Sequence, residues 1–370
     1  MQQDSKPKWY ASCPFSLTMF DKSSWIRLPR NVVIGHDALS DTVKAASELR
    51  LGGRPLLVTS PTPKDVAADR VERAFAESGA TPETVVIEAA SFESVERVVE
   101  AGREADAGYL VGIGGGKAID IAKMASDSLD RGFVSVPTAA SHDGIVSARA
   151  SMPEGDTRHS VAAEPPLAVV ADTGVLADAP WRLTTAGCAD IISNYTAVKD
   201  WQLAHRLKNV EYSEYAGALS RMTAEMLVDN ADSIKKGLED SAWIVTKALV
   251  SSGVAMSIAG SSRPASGAEH LFSHQLDRIA PGEALHGHQV GVGTIMIEYL
   301  HGGDAGGWRD VRDALARIGA PTTAEDLGIA DEDVIEAVTT AHRVRDRYTV
   351  LGDGMSEAAA REVAGVTGVL

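Results

Sequence analysis

The feature that most constrains the fold is a regular alternation of apolar strands and helices between residues 32 and 137. Segments rich in Val, Ile and Leu, which we predict to be strands, lie at 32–36, 55–60, 84–89, 109–114 and 133–137. Segments with helical periodicity separate them, at 41–50, 64–78, 91–104 and 117–128. This alternation predicts a parallel sheet with helices on both faces. In such sheets, ligands bind at the carboxyl ends of the strands.

The periodicity of the pattern changes near Trp181. Residues 148–172 alternate and contain turns, which predicts a β-hairpin followed by a last strand. Beyond Trp181, helical periodicity covers most of 184–318 and 331–366. We therefore predict an α/β domain over 19–180 and an all-α domain over 181–370. Residues 1–18 show no periodicity and are predicted to be a tail, which leaves Met1 and Met19 as alternative starts.

Composition and charge exclude several classes of protein. With 35 basic and 51 acidic residues, the formal net charge is -16, which argues against nucleic acid or an anionic membrane as partner. No run of eighteen apolar residues is present, so we expect no membrane insertion. The N-terminus has no apolar signal-peptide core, and two cysteines, Cys13 and Cys188, make no disulfide framework. These features indicate a cytoplasmic enzyme.

The stretch from Arg263 to Gly293 contains four of the ten histidines. His270 and His274 are spaced so that both project from one face of a helix. His286 follows a Pro-Gly break and lies where a new helix is predicted to begin. Asp190 is the best candidate for a third ligand, since two imidazoles and one carboxylate fit a catalytic zinc with one open position. The alternative is that these are core histidines or surface histidines at a chance spacing.

A glycine-rich loop, GIGGGKAIDIAKMAS at 112–126, follows the fourth predicted strand. Consecutive glycines let backbone N–H groups approach a phosphate, and the following helix directs its positive end toward it. The loop departs from GxGxxG because Lys117 replaces the third glycine, and it is not an ATP-type GxxxxGK[ST] loop. The alternative is that the glycines serve only a tight turn and that Asp120 interacts with the helix dipole.

A second loop, SVPTAASHDGIVS at 135–147, follows the fifth predicted strand. Thr138, Ser141 and Ser147 offer hydroxyl groups, and Asp143 offers a carboxylate. These residues are also common turn formers, Asp143-Gly144 in particular. Because the loops follow successive strands of a parallel sheet, we expect both to face one cleft.

Five motifs in order resemble a known family. They are GGGKAIDIAK, SVPTAASHDGIVS, AGCADIISNYTAVKDW, RPASGAEHLFSH and LHGHQVGVGTI. Together they are similar to the sn-glycerol-1-phosphate dehydrogenases, archaeal enzymes of the glycerol dehydrogenase and dehydroquinate synthase superfamily. The acidic composition fits a haloarchaeal member. The resemblance implies a dehydroquinate synthase-like fold, with an N-terminal dinucleotide-binding α/β domain, a C-terminal helical domain and a site between them.

The resemblance also implies the site residues. Zinc would be bound by Asp190, His270 and His286. The cofactor NAD(H) or NADP(H) would contact Gly116, Lys117, Ala118, Ile119, Asp120, Thr138, Ala139, Ala140, Ser141 and Ser147. Substrate would contact Asp143, Asp190 and His274, of which Asp143 and His274 are the catalytic candidates. One departure is His288, where the family usually has Glu, which leaves open whether His288 competes for the metal.

The reaction implied is reduction of dihydroxyacetone phosphate to sn-glycerol 1-phosphate for archaeal ether lipids, by a homo-oligomer. The strand at 55–60 ends in Thr59-Ser60 without an acidic residue, so both NAD(H) and NADP(H) should be accepted. Arg263 is a candidate for binding the substrate phosphate, whereas Lys117 is assigned to the cofactor loop. Three alternatives remain: a glycerol or polyol dehydrogenase, a dehydroquinate-synthase-like lyase, and a metal-binding protein without catalysis.

Overall fold

The structure is a computed structural model that describes residues 25–154 and 157–370, with the side chains of 153–159 excluded. The predicted tail at 1–18, the alternative start at Met19 and Cys13 lie outside the described residues.

Six parallel strands form the predicted sheet. They are β1 (Asn31–Gly35), β2 (Arg54–Thr59), β3 (Glu83–Val86), β4 (Ala107–Gly114), β5 (Phe133–Pro137) and β8 (Ala168–Asp172). Their order across the sheet is β1-β8-β5-β4-β2-β3. The chain steps outward from β2 to β3, returns to β4 and continues to β5, so the order reverses between β2 and β4. Such a reversal creates the crevice where ligands bind in open α/β sheets.

Helices follow the strands of this half of the chain on both faces of the sheet. They are α1 (Asp41–Glu48), α2 (Pro61–Pro63), a π-helix (Lys64–Ala68), α3 (Asp69–Glu77), α4 (Phe92–Glu104) and α5 (Gly116–Leu129). The second of the predicted helices begins three residues earlier than expected, at Pro61, because proline suits the first position of a helix. The antiparallel hairpin predicted after β5 consists of β6 (Arg149–Glu154) and β7 (Thr157–Ala162).

After Asp172 the described chain contains helices joined by loops and no strand, as the loss of strand periodicity predicts. They are α6 (Thr173–Asp178), α7 (Trp181–Ile192), α8 (Asn194–Lys208), α9 (Glu214–Asp229), α10 (Glu239–Ala259), α11 (Ala268–Ile279), α12 (His286–Gly302), α13 (Trp308–Ile318), α14 (Ala324–Leu327), α15 (Asp331–Thr340) and α16 (Glu357–Thr367). By length and composition α10 could cross a membrane, and half of its most apolar window is buried inside the protein. It packs against α9, α6 and α7.

Alternate residues of the strands bury opposite faces of the sheet. Leu57 and Val111 pack into one core with α1 and α3, and Leu56 and Leu110 into another with α4 and α5. This is the two-residue period of a strand, and because both faces are covered the strands read as continuous apolar runs. The second core continues through the C-terminal helices, so the carboxyl ends of the strands face the helical half.

Candidate functional site

A cavity of about 730 Å³ lies where the loops after β4 and β5 meet the C-terminal helices. Its lining includes Gly116, Lys117, Asp120, His142, Asp143, Ser147, Arg149, Asp190, Ser262, Ser266, His270, His274, His286 and Arg345. The structure therefore brings the glycine loop, the second loop and the histidine stretch together, as the two strand ends predict. Four residues expected at the cofactor, Thr138 to Ser141, lie outside this lining, as do Ala118 and Ile119.

Asp190, His270 and His286 form a compact group of ligand atoms. Each comes from a different helix, α7, α11 and α12, yet one ligand atom from each lies within 4.8 Å of the others. The His270 Nε2 atom is 3.6 Å from Asp190 Oδ1. His286 is the first residue of α12, as its position after the Pro-Gly break predicts. Two imidazoles and a carboxylate at this spacing are a three-ligand set with an open position.

His270 is oriented by a buried carboxylate. Its Nδ1 atom lies 3.0 Å from Glu269 Oε1, and the other Glu269 oxygen accepts a hydrogen bond of 2.8 Å from Thr196 Oγ1. This leaves Nε2 facing Asp190. Burial lowers the pKa of His270, but the hydrogen bonds with Asp190 and Glu269 outweigh burial and raise the pKa to about 9. A metal binding at Nε2 therefore displaces a proton.

The tautomer of His286 follows from its neighbours. The Ser273 hydroxyl donates its one proton to Gln289 Oε1 at 2.7 Å, and Gln289 Nε2 donates to Asp277 Oδ1 at 3.2 Å. Ser273 Oγ must therefore accept the 2.8 Å hydrogen bond from His286 Nδ1. In the neutral ring of His286 the proton therefore lies on Nδ1, and Nε2 carries the lone pair that a metal requires.

Replacing Ser273 by alanine is expected to weaken zinc binding about 10- to 100-fold, because the hydrogen bond that fixes the His286 tautomer is lost. Competition with a zinc chelator measures the affinity. Ser251→Ala is the matched control, since Ser251 Oγ donates only to Lys247 O of its own helix. Unchanged affinity in Ser273→Ala would show that this hydrogen bond does not orient the ligand.

A second group, His274, Asp277 and His286, also has ligand atoms within 4.8 Å of one another. The first group is the better metal site because Asp190 and His270 are buried there, whereas all members of the second are partly exposed. Asp277 is also already an acceptor for Gln289.

His274 lines the cavity beside the ligand set. Its ring stacks on that of His286, with centroids 5.6 Å apart, and its buried Nδ1 atom has no hydrogen-bond partner among the described residues. Burial, followed by the positive charge of His286 and Arg345, holds the pKa of His274 well below its usual value. The imidazole is therefore neutral, with a nitrogen available to a ligand.

Asp143 lies directly against the metal group. Its backbone N–H donates to Asp190 Oδ2 at 3.1 Å, and its carboxylate accepts a hydrogen bond of 2.8 Å from Ser252 Oγ. Burial and then the charge of Asp190 raise the pKa of Asp143 to about 7. The two carboxylates thus differ, because burial of Asp190 is outweighed by His270 and His286, which hold its pKa below the usual value.

The glycine loop brings the start of α5 to the cavity. Gly114 has φ +151°, and a Cβ atom on Gly116 would be 2.1 Å from His142 Nε2. The positive φ of Gly114 favours glycine, and a side chain at Gly116 would have to displace the His142 ring, which lies over the N-terminus of α5. Lys117 Nζ donates to Glu88 O at 2.7 Å, so its charge is held at the edge of the loop. Asp120 Oδ2 accepts from Ser151 N at 3.0 Å, which ties α5 to the hairpin.

Helix α7 approaches two neighbouring segments closely enough for backbone contact. A Cβ atom on Gly187 would be 2.0 Å from Ala140 O, in the loop after β5. On another side of the helix, a Cβ atom on Gly287 would be 2.1 Å from Ala186 O. Asp190, the loop at 138–141 and the start of α12 are therefore positioned by direct backbone contact.

The sequence interpretation missed several residues of the cavity. His142 accepts a hydrogen bond at Nδ1 from Gly144 N, at 2.9 Å, and its ring covers Gly116. Arg149 and Arg345 also line the cavity. A signal for Arg345 was present in the sequence RVRDR at 343–347, where arginines occupy alternate positions in an acidic chain.

His288 lies apart from the metal group. Its Nε2 atom is 2.8 Å from Thr185 Oγ1, and it lines a separate cavity of about 190 Å³ with Arg182 and Asp326. His288 belongs to neither group of potential metal ligands among the described residues.

Comparison with known proteins places this site in context. Residues 33–180 match the family model described as iron-containing alcohol dehydrogenase. A probable glycerol dehydrogenase from Sinorhizobium meliloti has a similar structure, with a TM-score of 0.77, 22% identity, and coverage of 93% of this chain and 98% of that chain. This similarity shows a shared fold.

Relatives at higher identity are more specific. The glycerol-1-phosphate dehydrogenase [NAD(P)+] of Haloarcula marismortui is 74% identical over 352 residues, which cover 95% of this chain and all of the relative. The glycerol-1-phosphate dehydrogenase [NAD(P)+] of Methanosarcina mazei is 54% identical over 351 residues, which cover 95% of this chain and 98% of the relative. The chain therefore belongs to the glycerol-1-phosphate dehydrogenase family.

Proposed function

We propose that this chain reduces dihydroxyacetone phosphate to sn-glycerol 1-phosphate, with NADH or NADPH as reductant and zinc as cofactor, for the synthesis of archaeal ether lipids. The observation that carries this proposal is the compact group of Asp190, His270 and His286, which opens onto the cavity that also contains the glycine loop. The 74% identity to a glycerol-1-phosphate dehydrogenase [NAD(P)+] supports the same activity.

The residues fit a catalytic zinc ion. Three donors lie within 4.8 Å, and the Nδ1 atom of each histidine has a hydrogen-bond partner that orients its ring. Zinc bound there supplies Lewis-acid stabilisation of the negative charge that develops on the ketone oxygen.

The other residues orient the reactants and move a proton. Gly116 and the N-terminus of α5 accept the pyrophosphate of the dinucleotide, whose nicotinamide supplies the hydride. His274, one helical turn from His270, donates or accepts a hydrogen bond at the substrate hydroxyl and relays the proton that the reduced oxygen requires. Asp143, beside Asp190, contacts the same substrate.

Cofactor choice is expected to be broad. Strand β2 ends at Thr59 and Ser60, both buried, with no carboxylate there to bind a ribose hydroxyl or repel a 2′-phosphate. The NAD(P)+ in the names of the relatives agrees with this.

We also infer the wider organisation from the sequence pattern. The chain divides into an α/β domain at 19–180 and a helical domain at 181–370, with the site between them. The enzyme is a cytoplasmic homo-oligomer that binds neither nucleic acid nor membrane, in keeping with its net charge of -16. Light scattering of the purified protein tests the oligomeric state.

The proposed activity is tested by following NADH and NADPH oxidation with dihydroxyacetone phosphate and with dihydroxyacetone. We expect kcat/KM to favour the phosphorylated ketone by about 100-fold or more, because charge-assisted hydrogen bonds to phosphate contribute strongly. Chelation is expected to abolish turnover, and zinc to restore it. The product should be the sn-1 phosphate by chiral analysis.

Other results of this assay would favour the alternatives. Equal turnover of both ketones would identify a polyol dehydrogenase. If neither ketone leads to consumption of reduced cofactor, the lyase is favoured. If chelation lowers the stability of a protein that shows no activity, a metal-binding protein without catalysis is indicated.

A further inference from the structure

Four guanidinium groups gather at one side of the cavity. Arg149 begins β6, Arg263 begins a short 3₁₀ helix (Arg263–Ala265), and Arg345 and Arg347 follow a 3₁₀ helix in the C-terminal part (Ala341–Arg343). All four are partly buried. Arg149 and Arg345 line the cavity itself, together with Ser262 and Ser266.

The hydrogen bonds of these arginines go to neutral acceptors. Arg345 Nη2 donates to Ser266 Oγ at 2.6 Å, and Arg347 donates to Ser266 O and, at 2.9 Å, to Ser262 Oγ. Arg149 donates from Nε to Ser160 Oγ at 3.0 Å and from Nη2 to Ser160 O at 2.7 Å. Among the described residues, no carboxylate oxygen lies within 4.0 Å of a nitrogen of any of the four guanidinium groups.

The positive charge of the group is therefore poorly compensated within the protein. Burial, followed by the charge of Arg149, lowers the pKa of Arg345 to about 10, and burial followed by the charge of Arg345 lowers the pKa of Arg347 well below its usual value. The acid that acts on Arg345 is Glu269, whose oxygens are bound to His270 and Thr196. Asp200 and Asp346 act on Arg263 instead. Partly buried like charges are costly unless a counter-ion is bound.

One donor in this group is without an acceptor. The Arg345 Nε atom is buried and has no hydrogen-bond partner among the described residues. A buried donor without a partner is costly, and this one belongs to a residue that lines the cavity, where a bound ligand can supply acceptors. The planar fork of an arginine matches the oxygens of a phosphate.

We infer that Arg345 and Arg149, with the hydroxyl groups of Ser262 and Ser266, bind the phosphate group of the substrate. This inference rests on the proposed function, because it names the part of the site that selects a phosphorylated ketone. His270, His274 and Arg345 line one cavity, so the metal group and the arginines face the same space. Arg263 and Arg347 are not among the residues that line the cavity, but their positive charges act on Arg345 and on each other.

The test compares Arg345→Gln with the wild-type enzyme on two ketones. We expect kcat/KM for dihydroxyacetone phosphate to fall about 10- to 100-fold, since a charge-assisted contact is lost. The kcat/KM for dihydroxyacetone should change less than about threefold, because this ketone has no phosphate group for Arg345 to bind. Arg345→Lys should recover part of the loss, since it keeps the charge without the fork. Arg343→Gln is the matched control, because Arg343 is exposed on the same segment.

A binding measurement without turnover separates this inference from the proposed activity. Inorganic phosphate should raise the Tm of the zinc-loaded wild-type protein, and this rise should shrink in Arg345→Gln and in Arg149→Gln but not in Arg343→Gln. If the wild-type enzyme fails to prefer dihydroxyacetone phosphate while phosphate still protects it through Arg345, the proposed substrate is wrong and the anion site stands.

Three results would overturn the inference. Equal losses of kcat/KM for both ketones in Arg345→Gln would show a structural role. A raised KM for NADPH alone would assign the arginines to a phosphate of the cofactor. Undiminished protection by inorganic phosphate in both glutamine variants would place the anion elsewhere.

Discussion

Replacing His270 by alanine is expected to empty the metal site and lower kcat/KM for dihydroxyacetone phosphate by about 10³- to 10⁴-fold. His270 is one of three donors within 4.8 Å, and two remaining donors do not hold a catalytic zinc ion at ordinary concentrations. Without zinc, the charge that develops on the ketone oxygen has no Lewis acid to stabilise it. Elemental analysis gives the zinc content per chain, and steady-state assays give kcat/KM.

The control for this variant is His288→Ala, which removes an imidazole that is bound to Thr185 and lies outside the ligand set. It should retain both zinc and turnover. Full zinc occupancy in His270→Ala would contradict the assignment and move the ion to the second group, of His274, Asp277 and His286.

Replacing His274 by alanine is expected to leave zinc in place and still reduce kcat/KM by about 10²- to 10³-fold. His274 is neutral, and among the described residues its buried Nδ1 atom has no hydrogen-bond partner. Removing it takes away a hydrogen bond to the substrate and the proton relay, while Asp190, His270 and His286 remain. Zinc analysis and kinetics on the same preparation separate the two effects.

Gln275→Ala, at the next position of α11, controls for general damage to the helix. Wild-type kinetics in His274→Ala would remove this residue from the site. Loss of zinc from His274→Ala would instead make it a ligand, and the proposed division between ligand and proton relay would be wrong.

The sheet and the start of α12 were predictable because local signals agree with the fold. Runs such as PLLVTS and YLVGIG are buried on both faces, and the Pro-Gly break before His286 ends one helix and allows the next to begin. The convergence of Asp190 with His270 and His286 was predicted from residue chemistry and family resemblance. Spacing alone gives no distance between residues eighty positions apart.

The hydrogen bonds that orient His270 and His286 could not be predicted from the sequence. Ser273 acts through Gln289 and Asp277, and Glu269 through Thr196, but nothing local to a serine or glutamate reveals a partner on another helix. Arg263, the residue proposed from the sequence to bind the substrate phosphate, is not among the residues that line the cavity. Arg345, about eighty residues further along the chain, does line it. Contacts between distant segments depend on how the helices pack, which composition and periodicity do not specify.

The close approach of Gly187 to Ala140 and of Gly287 to Ala186 has a consequence for engineering. Any residue larger than glycine at either position must displace main chain rather than a yielding side chain. Changes to the backbone of residues 138–141 will therefore shift Asp190 as well, so they will reduce metal retention. Arg149 and Arg345, by contrast, bind Ser160 and Ser266 through their guanidinium groups, so we expect substitutions there to change the substrate range with less effect on the metal group.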